Sequence, residues 1–230
     1  MGYSRFGAVV TPGLVISGEQ RATLVRRTYS VVLACVLVTI GGTWIGLSNE
    51  SLMIATAQHP IITMIVSIVP LWAASAARNM APTQRLALVA LFSLVMGVAI
   101  SFPIYFYGRL APGIVGQAAL LTGSSFAVLT TYAWLSRRDF SAWGGFFTVG
   151  LWVLIGTSLL NLFFQNQTAH LWLAGGGVLV FSGLLIYDTW RLKNAYGPDD
   201  YIMAAVRIYL DVLNMFMFIL SLLGGNRRSS

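Results

Sequence analysis

Charged residues are scarce in this chain of 230 residues. Aspartate, glutamate, lysine and arginine make up only 9% of it, whereas hydrophobic residues make up 57%. Soluble domains carry about 25% charged residues, so the composition excludes an ordinary soluble globule. It indicates a chain that folds with the bilayer as its solvent, where every backbone polar group must be paired inside the protein.

Cysteine is nearly absent, since Cys35 is the only one in the sequence. A single cysteine excludes disulfide staples and cysteine-rich metal centres. The chain also lacks the GxxxxGK[ST], GxSxG and HExxH patterns that would indicate a phosphate-binding loop, a serine hydrolase or a zinc protease. We therefore predict that the protein has no enzymatic activity and no resident cofactor.

Basic side chains outnumber acidic ones by 14 to 7 and are spread at the ends of apolar segments. This scatter is typical of topology signals and anionic-lipid contacts and does not favour nucleic-acid binding. Ten of them fall in the N-terminal tail and the second, fourth and sixth connections, whereas the opposite loops hold only Arg109. The positive-inside rule then predicts a cytoplasmic N-terminus, and we expect an integral, multi-pass protein of a bacterial inner membrane.

Long apolar runs between polar or Gly/Pro breaks predict an all-α, polytopic bundle of seven transmembrane helices. Residues 1–27 would form a cytoplasmic tail, 28–225 the transmembrane domain and 226–230 a short C-terminal tail. Whether the last segment crosses the membrane or re-enters on the same side stays open. The predicted spans are Thr28–Leu47, Pro60–Ala77, Leu86–Tyr107, Gly113–Leu135, Trp143–Phe164, Leu171–Leu192 and Tyr201–Leu223.

Two acids, Asp188 and Asp211, interrupt the last two apolar segments. An ionisable group inside a membrane costs several kcal/mol and is a functional-site hypothesis by default. Asp188 precedes Gly197 by 9 residues, and Asp211 follows Pro198 by 13. At about 1.5 Å per residue, the two carboxyl groups lie within about one helical turn of each other in height, if a turn at Gly197-Pro198 joins the helices. Facing carboxyl groups would titrate as a pair and would form a proton-sensitive element.

Neutralisation within the helices is the simpler alternative. Arg207 lies one helical turn before Asp211 and could pair with it. Asp188 could equally pair with Arg191 or Lys193 near the end of its segment. Spacing alone leaves both interpretations open.

At these residues the chain resembles the Bax inhibitor-1 family, also called the transmembrane Bax-inhibitor-motif family. The resemblance runs from about Leu86 to Gly225. It is carried by residues 122–126 (TGSSF), 132–145 (YAWLSRRDFSAWGG), 161–164 (NLFF), 187–189 (YDT) and 209–214 (YLDVLN).

The resemblance implies a seven-helix bundle with a central C-terminal helix and a buried di-aspartyl pH sensor that gates a calcium leak. The matching positions are Asp188 and Asp211, which would also contact calcium transiently. An arginine on the second helix can engage the pair in the family, and Arg78 is the candidate for it, with Arg207 as a competitor. Bacterial relatives can also carry an acid within the second helix, which residues 60–77 lack.

The same resemblance implies supporting roles for three polar residues of the C-terminal signature. These are Tyr187, Tyr209 and Asn214. We expect them to hold the two aspartate-bearing helices in place.

Two functions follow as expectations. The first is a pH-sensitive calcium (cation) leak channel, with calcium and protons as its ions. The second is a regulatory protein without transport of its own, which modulates a membrane protease or stress and cell-death machinery. Few hydrophilic residues lie inside the predicted helices, and this favours the second.

Overall fold

The computed structural model describes residues 17–76, 80–164 and 167–226. Over these ranges the chain is helical without any strand, which confirms the predicted all-α class. The helices are α1 (Gly18–Ser48), α2 (Glu50–Gln58), α3 (Pro60–Ala76), α4 (Pro82–Leu110), α5 (Ile114–Leu135), α6 (Trp143–Phe164), α7 (Gln167–Asn194) and α8 (Tyr201–Asn226).

Six of the described helices, α1 and α4 to α8, are long and apolar enough to cross a bilayer. Helices α2 and α3 meet with a bend of 101° and supply a seventh crossing when the pair is counted as one. Pro60 explains the bend, because a residue before proline is pushed out of the helical region, and His59 has φ −123° and ψ 60°. The polytopic bundle expected from the apolar runs is therefore confirmed.

Helix α1 begins ten residues before the predicted first span, at Gly18 instead of Thr28. The side chain of Ser17 accepts the backbone N–H of Gln20 at 3.2 Å, and the Gln20 side chain accepts the N–H of Ser17 at 2.9 Å. This reciprocal cap starts a helix in polar sequence, where hydropathy gives no signal. Part of the predicted tail is therefore helical, and residues 1–16 and 227–230 lie outside the described ranges.

Helix α2 was not predicted as a separate element. The Asn49 side chain accepts the backbone N–H of Leu52 at 3.0 Å, and Glu50 lies in the first turn. An Asn followed by an acidic residue is a helix-start signal, and hydropathy alone overlooks it.

Helix α8 is the centre of the bundle and packs against α1, α4, α5 and α7. Its residues Ile208, Met215 and Leu220 have no exposed surface. The expected central C-terminal helix is thus confirmed. The helix is unbroken over 26 residues, which favours a full crossing over a re-entrant segment.

The outer faces of α3 and α6 carry large exposed apolar side chains. Ile61, Ile65 and Trp72 on α3 are 63%, 55% and 70% exposed, and Trp152 on α6 is 69% exposed. Lipid tails are as apolar as these side chains, so in a bilayer these faces contact lipid.

Helices α1 and α4 pack backbone against backbone at Gly42 and Gly97. A Cβ atom on Gly42 would overlap the carbonyl oxygen of Leu94, and one on Gly97 would overlap the carbonyl oxygen of Thr39. The Thr43 hydroxyl donates to the Gly97 carbonyl at 3.1 Å across the same contact. Small residues let membrane helices pack backbone to backbone, and this contact holds α1 against the core.

Replacing Gly42 by alanine tests that contact. We expect Gly42→Ala to destabilise the fold by about 1–3 kcal/mol, the usual cost of overpacking. The melting temperature in detergent can be followed through the reaction of Cys35, which is 3% exposed, with a thiol-reactive dye.

The matched control is Gly41→Ala, because a Cβ atom at the neighbouring Gly41 meets nothing within 4 Å. Alanine at an unobstructed helix position should be neutral or stabilising by up to about 1 kcal/mol. Equal melting temperatures for the two variants would contradict the close packing of α1 and α4.

Candidate functional site: the paired aspartates of α7 and α8

The α7–α8 hairpin brings Asp188 and Asp211 together inside the bundle. The two helices are packed along each other, and the Asp200 carboxylate accepts the backbone N–H of Gly197 at 2.8 Å in the turn between them. Each aspartate is only 5% exposed, and the two carboxyl groups interact directly. Spacing predicted their similar height, and the structure adds that they face each other.

One oxygen of each carboxyl group has no hydrogen-bond partner among the described residues. These atoms are Oδ1 of Asp188 and Oδ2 of Asp211. A buried polar atom without a hydrogen bond lowers stability by about 1–3 kcal/mol. Two neighbouring carboxylates that are both ionised also repel each other strongly in a low-dielectric interior. The pair therefore has capacity to bind a proton or a cation.

Among the described residues, Arg191 is the cation that contacts Asp188. Its Nη1 atom lies 3.5 Å from Oδ1 of Asp188, without hydrogen-bond geometry, and this is the one salt bridge among the described residues. The guanidinium group also lies over the rings of Tyr187 and Tyr196, at 5.6 and 4.6 Å from their centroids. Aromatic faces attract cations, so the two rings hold Arg191 beside the carboxyl pair.

Arg207 has a looser relation to the aspartates than an intrahelical ion pair. It is exposed, and no Arg207–Asp211 salt bridge within 4.0 Å occurs in the described part of the chain. Its charge nevertheless lies within electrostatic range of both carboxyl groups. Arg78, the other candidate partner, lies outside the described residues.

Lys193 does not pair with Asp188. Its ammonium group donates to the backbone carbonyls of Trp134 and Ser136 at 2.8 and 3.1 Å. A cation at these carbonyls satisfies the C-terminal end of α5. Arg21 does the same for α7, because its Nη1 atom donates to the carbonyls of Leu192 and Tyr196 at 3.0 and 2.8 Å.

Tyr196 lies just outside the membrane-spanning part of α7, in the turn that leads to α8. Burial raises the pKa of its hydroxyl to about 12, and the charge of Asp188 acts in the same direction. The phenol therefore stays neutral at physiological pH and serves Arg191 as an aromatic surface.

Tyr209 joins α8, the helix that carries Asp211, to α1 and α4. It is 1% exposed, and its hydroxyl lies 2.6 Å from Oγ1 of Thr39 on α1. That Oγ1 atom also lies 3.1 Å from the carbonyl oxygen of Ser93 on α4. The Tyr209 ring meets Phe92 of α4 edge to face, with centroids 6.0 Å apart. Asp211 thus sits one half-turn from a link between α8, α1 and α4.

Tyr187 and Asn214 take different positions around the pair. Tyr187 packs against Gly144 of α6, where a Cβ atom would overlap its ring. The Asn214 amide donates to the carbonyl of Leu210 at 2.8 Å, within α8 itself. Tyr187 therefore fixes α7 against α6, whereas the hydrogen bond of Asn214 is local to its own helix.

No group of three or more His, Cys, Asp or Glu side chains that could hold a metal ion occurs in the described ranges. Calcium in proteins takes 6–8 oxygen ligands. The two aspartates alone supply fewer oxygens than that.

The chain matches, over residues 21–228, the family described as inhibitor of apoptosis-promoting Bax1. It belongs to this Bax inhibitor family, as the C-terminal signature predicted. The Golgi anti-apoptotic protein of Vaccinia virus (strain Lister) is 34% identical over 206 residues, which cover 88% of this chain and 85% of the viral protein.

Two cellular relatives extend the comparison. Protein lifeguard 4 of Mus musculus is 32% identical over 206 residues, covering 88% of this chain and 85% of the mouse protein. Bax inhibitor 1 of Schizosaccharomyces pombe is 33% identical over 224 residues, covering 93% of this chain and 80% of the yeast protein. The similarity therefore spans most of the transmembrane bundle.

Removing the Tyr209 hydroxyl tests the link between the helices. We expect Tyr209→Phe to lower stability by about 0.5–1.5 kcal/mol, the net value of a typical hydrogen bond. The melting temperature in detergent, followed through Cys35, measures the loss. Tyr132→Phe is the control, because Tyr132 is 42% exposed. A loss of the same size in both variants would argue against the link.

Proposed function

We propose that this Bax inhibitor family member is a pH-sensitive calcium (cation) leak channel gated by Asp188 and Asp211. The observation that carries the proposal is their burial side by side on α7 and α8, with one oxygen of each carboxyl group lacking a hydrogen bond. Structural ion pairing does not require two acids in contact. Two acids in contact instead form a proton-sensitive element, because protonation of one carboxyl group removes its repulsion of the other.

The proposed gate has two states that differ in charge. With a proton, the carboxyl groups share a hydrogen bond and hold α7 against α8. Without it, they repel each other and attract Arg191 and Arg207, which are cations within electrostatic range among the described residues. Because α8 also packs against α1, α4 and α5, a shift of this helix reaches most of the bundle.

We further propose that calcium touches the carboxylates only in transit. Hard oxygen ligands suit calcium, and a site with few protein ligands binds weakly enough to release the ion. We place the protein in a bacterial inner membrane with its N-terminus in the cytoplasm, on the distribution of its basic residues.

A regulatory protein without transport is the second candidate. One observation favours it: the cavity of about 490 Å³ between α1, α4, α5 and α8 is lined mainly by apolar side chains. The hydroxyl groups in its lining are hydrogen-bonded within the protein, so it offers a cation few ligands. Under this proposal the protein contacts a membrane protease or another membrane protein. Deleting residues 2–16, which precede the Ser17–Gln20 cap of α1, would abolish co-purification of that partner while leaving the fold intact.

Calcium flux into dye-loaded proteoliposomes distinguishes the two. The wild-type protein should conduct with a rate that changes across neutral pH. We expect the Asp188→Asn/Asp211→Asn double variant to show the same flux at acidic and alkaline pH, because asparagine does not titrate.

Asp199→Asn is the control, since it makes the same kind of substitution once, at an exposed turn residue. It should keep the wild-type pH profile. A double variant with an unchanged profile would refute the gate, and a wild type without flux above empty liposomes at any pH would favour the regulatory function.

A further inference from the structure

An apolar groove of about 490 Å³ lies between α1, α4, α5 and α8. Its floor is α8, through Val212, Leu213 and Phe216, together with Ile100 and Ile104 of α4. Its rims are α1 and α5. Along α1 it extends from Val36 to Trp44 and Leu47, and the step from Val36 to Trp44 is roughly 12 Å at the helical rise.

The two rim helices meet at one end and leave a gap at the other. Tyr29 of α1 and Phe126 of α5 are in edge-to-face contact, with centroids 6.2 Å apart. Beyond this contact the groove lies between the two helices, and its rim residues Ile40 and Trp44 are 60% and 72% exposed. On the α5 side the rim is formed by Ala119 and Gly123, which are also exposed. The groove therefore opens sideways, towards the lipid.

The polar groups in the lining are already bonded within the protein. Thr39 Oγ1 and the Tyr209 hydroxyl bond to each other at 2.6 Å. Thr43 donates to the Gly97 carbonyl at 3.1 Å, and Thr122 donates to the Ala118 carbonyl at 2.7 Å. A buried water needs two to four polar partners and a cation needs oxygen ligands, so neither is suited to this space.

We infer that the groove binds one acyl chain of a membrane phospholipid. The chain enters between α1 and α5 from the leaflet in which α1 ends and α5 begins. An empty apolar space forfeits dispersion contacts with its lining, and the hydrocarbon at its mouth is the one medium that restores them without an unpaired polar group. Since the chain comes from hydrocarbon, its binding rests on shape and packing and gains nothing from the hydrophobic effect.

The bound chain would rest on the part of α8 that carries Asp211. Tyr209 and Val212 both line the groove, and they flank Asp211 in sequence. The acyl chain therefore supports this helix from the side opposite to its polar contact with α7. The inference does not depend on ion conduction.

Photo-crosslinking in lipid nanodiscs tests this site. The probe is a phosphatidylcholine with a diazirine in the middle of one acyl chain, and the labelled residues are mapped by mass spectrometry. Annular lipid will label exposed residues such as Trp152 and Trp172, which are 69% and 79% exposed. If an acyl chain occupies the groove, additional labels will appear on α8 at the groove floor, at Leu213 and its neighbours, although Leu213 is only 7% exposed.

Gly123→Leu narrows the mouth, and the space around its Cβ position is open, with nothing within 4 Å. We expect it to lose the α8 labels and to keep those at Trp152 and Trp172. Gly156→Leu is the control on α6, since that glycine is equally unobstructed and lies away from the groove. It should keep all labels.

Two results would overturn the inference. The first is a wild-type protein whose α8 floor stays unlabelled, as happens if a second copy or another protein segment fills the groove. The second is α8 labelling that persists in a folded Gly123→Leu variant. If the Gly123→Leu variant does not fold, the presence or absence of labels on the α8 floor of the wild-type protein decides the question.

Discussion

The contact between two carboxyl groups inside a membrane bundle is the constraint on which the rest of the structure depends. Neither Asp188 nor Asp211 can face lipid without a large energetic cost, so α7 and α8 must present them to each other. Their shared burial orients both helices about their axes. The turn at Gly197–Asp200 sets their relative height, and the Arg191 cation between Tyr187 and Tyr196 closes the site on one side.

Around this contact, α8 connects the charged centre to the rest of the bundle. On one side it meets α7 through the aspartates, and on another it meets α1 and α4 through the Tyr209 hydroxyl. The backbone contact at Gly42 and Gly97 makes α1 and α4 a firm support for that link. A change in the charge of the pair would thus act on a helix that is held from several directions, as a two-state element requires.

Much of this arrangement could be predicted from the sequence. Helix α6 has the predicted bounds, and α8 begins at the predicted Tyr201, because lipid-facing helices are long apolar runs. Hydropathy did not predict the start of α1 or the existence of α2. Side-chain caps at Ser17 and Asn49 specify these two helix starts, and a hydropathy pattern does not detect caps.

The site was predicted only in part for a related reason. The helical rise predicts how far Asp188 and Asp211 lie from the turn between their helices. The direction in which each side chain points depends on helix packing, which residue spacing does not determine. Among the cations, the sequence left Arg207 as a candidate partner of Asp211 and Arg191 or Lys193 as candidates for Asp188, and the family resemblance added Arg78. The structure distinguishes Arg191 from Lys193. The Lys193 ammonium group donates to a backbone carbonyl at the end of α5, whereas Arg191 contacts Asp188 and two aromatic rings.

The most direct test of the coupled pair is infrared difference spectroscopy of the protonated carboxyl band in proteoliposomes, recorded on both sides of neutral pH. Two interacting carboxyl groups titrate as one unit. The account predicts a carboxyl band that changes with pH in the wild type, and a shifted titration of the remaining carboxyl group in each of Asp188→Asn and Asp211→Asn. Bands that titrate independently, each unaffected by loss of the other aspartate, would contradict it.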